Sequence, residues 1–279
     1  MKTLFLYGEV KLIKEIERLI DIAKLLRDPK DGCPWDLEQT FRSIAPHAIE
    51  EAYEVADAID NDDIAGLNDE LGDLLFQIVF LSQIADEKDF FNFNDVARNI
   101  CIKMIRRHPH IFGDENIETP EAQSLAWENI KAIERRKKQQ VDPDIHGQSA
   151  LSGVASALPS LTRAQKIQKR ASREGFDWPK VNQVFEKIDE EILEIKAEIK
   201  DYSDVSRLED EVGDLLFCCV NLARKLGVES EIALKKSSAK FEFRFRAMEK
   251  FAEEKKLEFS SLGIKEMEEL WRQAKKVKC

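Results

Sequence analysis

The sequence predicts an all-α fold made of two tandem helical bundles. Three observations carry this. Apolar residues recur at helical spacing, glycine and proline are scarce, and one acidic and apolar pattern is written twice. In the second half Ile188, Ile192, Ile195 and Ile199 follow one another at steps of four, three and four. Val212, Leu216, Cys219, Ala223 and Leu226 do the same a little further on. In the first half Ile49, Ala52, Ala56 and Ile59 mark one helix, and Leu71, Leu74, Leu75, Ile78 and Leu81 mark another. Such stripes are the signature of helices with one buried face. The chain has 11 Gly and 8 Pro in 279 residues, so few positions break a helix. No run of alternating β-branched residues suggests a sheet. Polar breaks at NDDIAG (61–66) and YSDVS (202–206) separate the paired helices.

The duplication is explicit. NDELGDLLF at 68–76 returns as EDEVGDLLF at 209–217. Upstream, the EExxE of Glu50, Glu51 and Glu54 returns at Glu190, Glu191 and Glu194. DGCPWD at 31–36 sits opposite EGFDWP at 174–179, KMIRR at 103–107 opposite KFEFR at 240–244, and Trp127 opposite Trp271. Five features in one order, at slightly drifting offsets, mean two copies whose loops differ in length. The copies occupy residues 1–140 and 161–279. Between them, 141–160 reads VDPDIHGQSALSGVASALPS, a linker by its Pro, Gly and Ser content. The Lys/Arg run at 135–138 reads as a solvated helix end rather than a nucleic-acid patch.

Composition removes several functions. Hydrophobic residues make up 43% of the chain, ample for a core. The net charge is −11, the pI about 5.1 and the mean hydropathy −0.41. A general nucleic-acid binder needs a basic surface, so that class is excluded. The apolar run in MKTLFLYGEVKLIKEIE is too short for a secretory signal, and no stretch is long enough to span a membrane. A cytoplasmic protein is expected. The five cysteines form no CxxC pair, and Cys218 and Cys219 read as small buried residues.

The carboxylates carry the chemistry. Glu51 and Glu54 are three apart and share a helix face, as do Glu70 and Asp73. If the two helices fold back on one another, the four converge. Glu191, Glu194, Glu211 and Asp214 repeat the arrangement. Crowded carboxylates repel unless a proton or a cation neutralises them. Taken singly, an ExxE pair in so acidic a chain is an ordinary solvated face; written twice with an ExxD partner, it reads as a metal site. An all-carboxylate set without Cys or His suits Mg²⁺, with Mn²⁺ as substitute. None of the four histidines follows a motif Glu by three, which weighs against a di-iron bundle. Mg²⁺ held by carboxylates commonly completes its shell with substrate phosphates. Gly72 and Gly213 stand beside the acids where glycine costs a helix about 1 kcal/mol. They predict the close approach of another helix or a ligand. Lys103 with Arg107, and Lys240 with Arg244, are four apart and can meet a polyphosphate.

EExxE followed by ExxD, with GCPWD upstream, RRHPHIFGD at 106–114 and RAQKIQKR with GFDW at 163–178, resembles the MazG family of nucleoside triphosphate pyrophosphohydrolases. The acidic core alone is shared with the wider all-α NTP pyrophosphatases. The resemblance implies hydrolysis of a nucleoside triphosphate to the monophosphate and diphosphate with Mg²⁺, in a bundle that forms homodimers. It makes Glu191, Glu194, Glu211 and Asp214 metal ligands, and matches Glu51, Glu54, Glu70 and Asp73 to the same motif. It puts Lys240, Arg244, Trp271 and Lys187 at the nucleotide. Glu190 is the expected general base or an outer partner of the ligands. Asn221 and Arg224, opposite Phe80 and Gln83, give the second copy an extra polar, cationic lining; the second copy is therefore expected to carry most of the turnover. The alternatives are a dUTPase or phosphoribosyl-ATP hydrolase with the same core, and a first copy that is a non-catalytic partner-binding module. The base preference is not legible.

Overall fold

A computed structural model describes residues 11–141, 149–200 and 204–277. The expected amino-terminal apolar run (residues 1–10), linker residues 142–148, the break residues 201–203 and Cys279 lie outside the described residues. Among the described residues every regular element is helical. No helix among them is long and apolar enough to cross a membrane. The chain divides into two compact units, Met1–Arg135 and Arg136–Cys279.

In the first unit α1 (Lys11–Leu26) and the short α2 (Pro34–Glu38) precede a helical hairpin, α3 (Phe41–Asp60) and α4 (Ile64–Asp86). Thr40 caps α3 through a reciprocal pair of hydrogen bonds with Ser43, and Asp63 caps α4 by accepting from the Gly66 amide. Then come α5 (Phe93–Arg107), α6 (Pro109–Phe112) and α7 (Pro120–Val141), which runs across the division between units. Asn92 and Asp95 form the capping box of α5. α4 is the hub: α1, α3 and α5 all pack on it. Ile44, Phe80 and Ile84 are buried at the α3–α4 contact, with Phe41, Phe76 and Leu81 packed around them.

The second unit has the same plan. α8 (Ser160–Arg173) takes the place of α1, and α9 (Val181–Lys200) with α10 (Val205–Lys225) forms the hairpin. α11 (Ser230–Glu254), a short 3₁₀ turn (Phe259–Ser261) and α12 (Ile264–Ala274) follow. α8, α9 and α11 pack on α10 as their counterparts pack on α4. A second apolar cluster, Met248, Ala252, Leu270 and Ala274, joins α11 to α12.

The predicted stripes lie on the expected helices, but they are not the faces that this chain buries. Ile49, Ile59, Leu71 and Ile78 are exposed in the first hairpin, and Ile199, Val212, Leu216 and Leu226 in the second. Leu216 is 52% exposed and Phe217 is exposed too, so this part of the repeated GDLLF does not face the core. Cys218 is buried as expected, while its neighbour Cys219 is exposed. Consecutive helical residues point about 100° apart, and here only Cys218 falls on the buried side. Each hairpin thus buries the face that meets the outer helices and leaves a second apolar face open.

One ionic tie closes the first unit. The buried Arg27, at the end of α1, donates from Nε and Nη2 to both carboxylate oxygens of Glu87, at 2.7 and 2.6 Å. Its Nη1 donates to the carbonyls of Asp36 and Gln39, and its guanidinium lies over the Phe80 ring. These bonds, opposed by burial, hold the Glu87 carboxyl below its ordinary value. Its contribution is therefore present above pH 4.5, the ordinary value, and is lost as pH falls through the lowered one. Removing one member of so buried a pair leaves the other uncompensated. Arg27→Ala is expected to destabilise the first unit by about 3 kcal/mol, read as lost hydrogen-exchange protection in α1 and α4 while α10 and α11 keep theirs.

Candidate active site

Helical geometry builds the site in each hairpin. On α9, Glu191 and Glu194 lie one turn apart, and on α10 so do Glu211 and Asp214. Because α9 packs along α10, oxygen atoms of Glu191, Glu211 and Asp214 come within 4.8 Å of one another. On α3 and α4, Glu51, Glu70 and Asp73 do the same. The fourth acid of each set stands beside its trio. The Glu194 carboxyl is raised by desolvation and by the charges of Glu191, Glu211 and Glu190, against the opposing pull of Lys187. Glu54 is raised by desolvation and by Glu70, Glu51 and Glu50. The structure therefore gathers six of the eight predicted carboxylates into two groups of three, with Glu54 and Glu194 feeling the charge of their neighbours.

These groups suit a hard divalent cation. All their donors are carboxylate oxygens. Glu191 is only 3% exposed, and its Oε2 is buried with no hydrogen-bond partner. An orphaned buried carboxylate oxygen is costly, and a cation relieves that cost directly.

The two groups are held differently. Lys187 donates to Glu191 Oε1 at 2.8 Å and to Glu190 Oε1 at 3.0 Å, one turn along α9. These bonds raise the Lys187 pKa well above its usual value. Lys187, expected at the nucleotide, is thus seated on the acids themselves. In the first unit His47 takes its place, with Nδ1 3.6 Å from Glu50, and Glu51 instead accepts from Gln77 Nε2 at 3.1 Å. Sequence reasoning passed over Gln77. Its spacing of four from Asp73 and seven from Glu70 puts it on the acidic face, a signal that was available. Its counterpart in the repeat is Cys218, whose thiol is pushed up to about 11 by burial and by the nearby Glu191.

Asn221 and Arg224 are engaged with another part of the unit. Arg224 donates to Asp177 at 2.6 and 3.3 Å and to Asn221 Oδ1 at 2.7 and 3.1 Å. Lys225 joins it on Asp177 at 2.7 Å. The pair anchors the GFDW segment to the end of α10. Burial pushes the Asp177 carboxyl up, but the bonds from Arg224 and Lys225 outweigh it and hold the carboxyl low. Arg244 and Trp271 do meet. The Arg244 guanidinium lies 5.8 Å from the Trp271 ring centre, and its Nε is buried without a partner. Phe241, not singled out from sequence, packs on Trp271 at 5.4 Å. Lys240 is exposed on the same helix.

Comparison with known proteins identifies the family. The family model described as the MazG nucleotide pyrophosphohydrolase domain matches residues 39–112, from the start of the first hairpin through α6. A nucleoside triphosphate pyrophosphohydrolase of Escherichia coli (strain K12) is 47% identical over 268 residues, 95% of this chain and 98% of that protein. The chain belongs to the MazG family. A Thermotoga maritima relative, named nucleoside triphosphate pyrophosphohydrolase/pyrophosphatase MazG, is 43% identical over 93% of this chain and 95% of its own length. A solved mazG-related protein from Thermotoga maritima matches 41% of this chain and 97% of its own, at 28% identity and a TM-score of 0.35. The family model matches within the first unit alone, and the full-length relatives extend the MazG assignment through the second.

The glycines of the repeated motif differ from expectation in this MazG chain. A Cβ built at Gly72 or Gly213 meets no heavy atom within 4 Å, so no helix among the described residues approaches there, and a ligand is the approach that the expectation leaves. Gly213→Ala is expected to stabilise the second hairpin by about 1 kcal/mol, seen as a higher calorimetric transition. Millimolar Mg²⁺ or Mn²⁺ is expected to raise the same transition by relieving the carboxylate repulsion, and EDTA to reverse the rise. In a Glu191→Gln/Asp214→Asn double variant that response is expected to disappear from the second unit.

Proposed function

We propose that this MazG-family enzyme hydrolyses nucleoside triphosphates, without narrow base choice, to the monophosphate and diphosphate in the presence of Mg²⁺. Mn²⁺ would serve as substitute, and the second unit would carry most of the turnover. The observation that supports this best is the Glu191, Glu211 and Asp214 convergence with the unpartnered Glu191 Oε2. Glu194 would complete the ligand set. The bound cation would neutralise phosphate charge and lower the pKa of a water near the α-phosphorus.

The residues of the chain divide the remaining work. Lys187 fixes Glu191 by its bond to Oε1, leaving Oε2 for the cation. Glu190 shares Lys187 through Oε1 and is more than half exposed, so its other oxygen is open to accept a proton from the attacking water. Arg244 offers guanidinium donors, and Lys240 a point charge, to the departing diphosphate. Trp271 and Phe241 present aromatic surface beside Arg244. Asn221 and Arg224 contribute by locking the GFDW segment to α10.

A homodimer is part of the proposal. The open apolar faces of both hairpins, among them Ile49 and Ile78 in one and Val212 and Leu216 in the other, support it. Exposed apolar faces of this kind mark sites of association.

Chromatography of products from a panel of NTPs with Mg²⁺ tests the reaction. Monophosphate and diphosphate are expected for several bases. Nucleoside diphosphate with orthophosphate would overturn the proposal, and strict preference for dUTP or phosphoribosyl-ATP would replace it with the narrower relatives. Glu191→Gln is expected to lower kcat/KM by about 100-fold or more. The corresponding Glu51→Gln is expected to lower it far less; equal losses would contradict the ranking of the units.

A further inference from the structure

The repeat aligns Arg107 with Arg244 and Trp127 with Trp271, but the structure gives the two pairs opposite surroundings. Arg107 donates to Glu134 through Nη2 at 2.6 Å and Nε at 3.4 Å. Arg106 donates to the same carboxylate through Nε at 2.8 Å and also through Nη2. Glu134 and Arg107 have side chains only 15% and 17% exposed. Lys131 Nζ, one turn before Glu134, lies 4.1 Å from the centre of the Trp127 ring. The cationic and the aromatic member of the first unit's set are therefore both already occupied by α7. In the second unit no carboxylate pairs with Arg244 among the described residues, and its guanidinium lies over Trp271.

We propose that Glu134 is a specificity-determining residue: it occupies the arginines that would take the outer phosphates, and so excludes triphosphates from a first unit whose carboxylate site is intact. The inference rests on the proposed triphosphate substrate. A carboxylate held bidentately by one arginine and shared with a second is the geometry that a phosphate oxygen would otherwise adopt. A triphosphate can enter only by displacing Glu134, which leaves that carboxylate buried and unpaired. Bound arginines also hold the Glu134 carboxyl below its usual value, with Arg107 the larger influence and burial opposing. Lys131 adds a second barrier, since a base stacking on Trp127 must first displace it. The first unit can then take a divalent cation without taking a nucleotide.

The test is equilibrium dialysis of the full chain with Mg²⁺ and α,β-methylene-ATP, an analogue that resists cleavage at the reacting bond. Wild type is expected to bind about one analogue per chain, and Glu134→Gln about two, because the freed arginines regain an anion partner. The new site should disappear on adding Arg107→Ala to Glu134→Gln. Lys131→Met, which leaves the Glu134 ion pairs in place, should stay at one site and serves as control for general loosening of α7. Two sites of similar affinity in wild type would overturn the proposal. So would one site in folded Glu134→Gln, with folding checked by its thermal transition. No binding to any variant would instead remove the triphosphate reading on which the inference stands.

Discussion

Carboxylates drawn together on a helical hairpin are the constraint from which the rest of each unit follows. Like charges within 4.8 Å disfavour the folded hairpin unless something positive is supplied. The chain supplies only part of it, through Lys187 in one unit and the neutral donor Gln77 in the other. The remainder is left for a cation. For such a site to persist without collapsing or splaying, its helices must be braced from outside. The helices packed on α4 and α10, and the buried ion pairs at their ends, provide that brace. Apolar contacts and these ion pairs hold each hairpin together against the repulsion of its acids.

The two units show how one scaffold is adjusted around a fixed motif. The acids are kept in both, while the groups that touch them and the groups that meet the tryptophans are not. His47 stands for Lys187, Gln77 for Cys218, and Arg107, paired with Glu134, for Arg244, which meets no carboxylate among the described residues. None of these changes disturbs helix periodicity, so the fold tolerates them. Each changes what charge a bound anion meets. Function diverges here by re-partnering of side chains on an unaltered backbone.

The helices, their order and the carboxylate groups were legible because each depends on local spacing. Glu51, Glu70 and Asp73 converge once two amphipathic helices fold back, and periodicity is enough to foresee that. The burial of the stripes was not legible. Periodicity says that a face is apolar, and it does not say whether another helix of the same chain covers it; Leu216 and Val212 are the cases in point. The partner of Arg224 was not legible for a related reason. Spacing put it nearly three turns beyond Asp214, but its partner Asp177 comes from 47 residues away and no local rule pairs them. Glu134 was passed over within a charged run whose residues looked interchangeable, and only the fold distinguishes the one that faces Arg107.

The ties at the two helix ends have opposite polarity. α4 ends in the anion Glu87, met by Arg27 of α1, whereas α10 ends in the cations Arg224 and Lys225, met by Asp177. Tandem copies of one domain are prone to exchange equivalent pieces while they fold. Here the exchange is penalised. If α1 docked against α10, Arg27 would meet two cations in a desolvated corner, and Asp177 brought to α4 would meet Glu87. The same corner of each hairpin is thus closed by an ion pair of reversed polarity, so the two ties are not interchangeable.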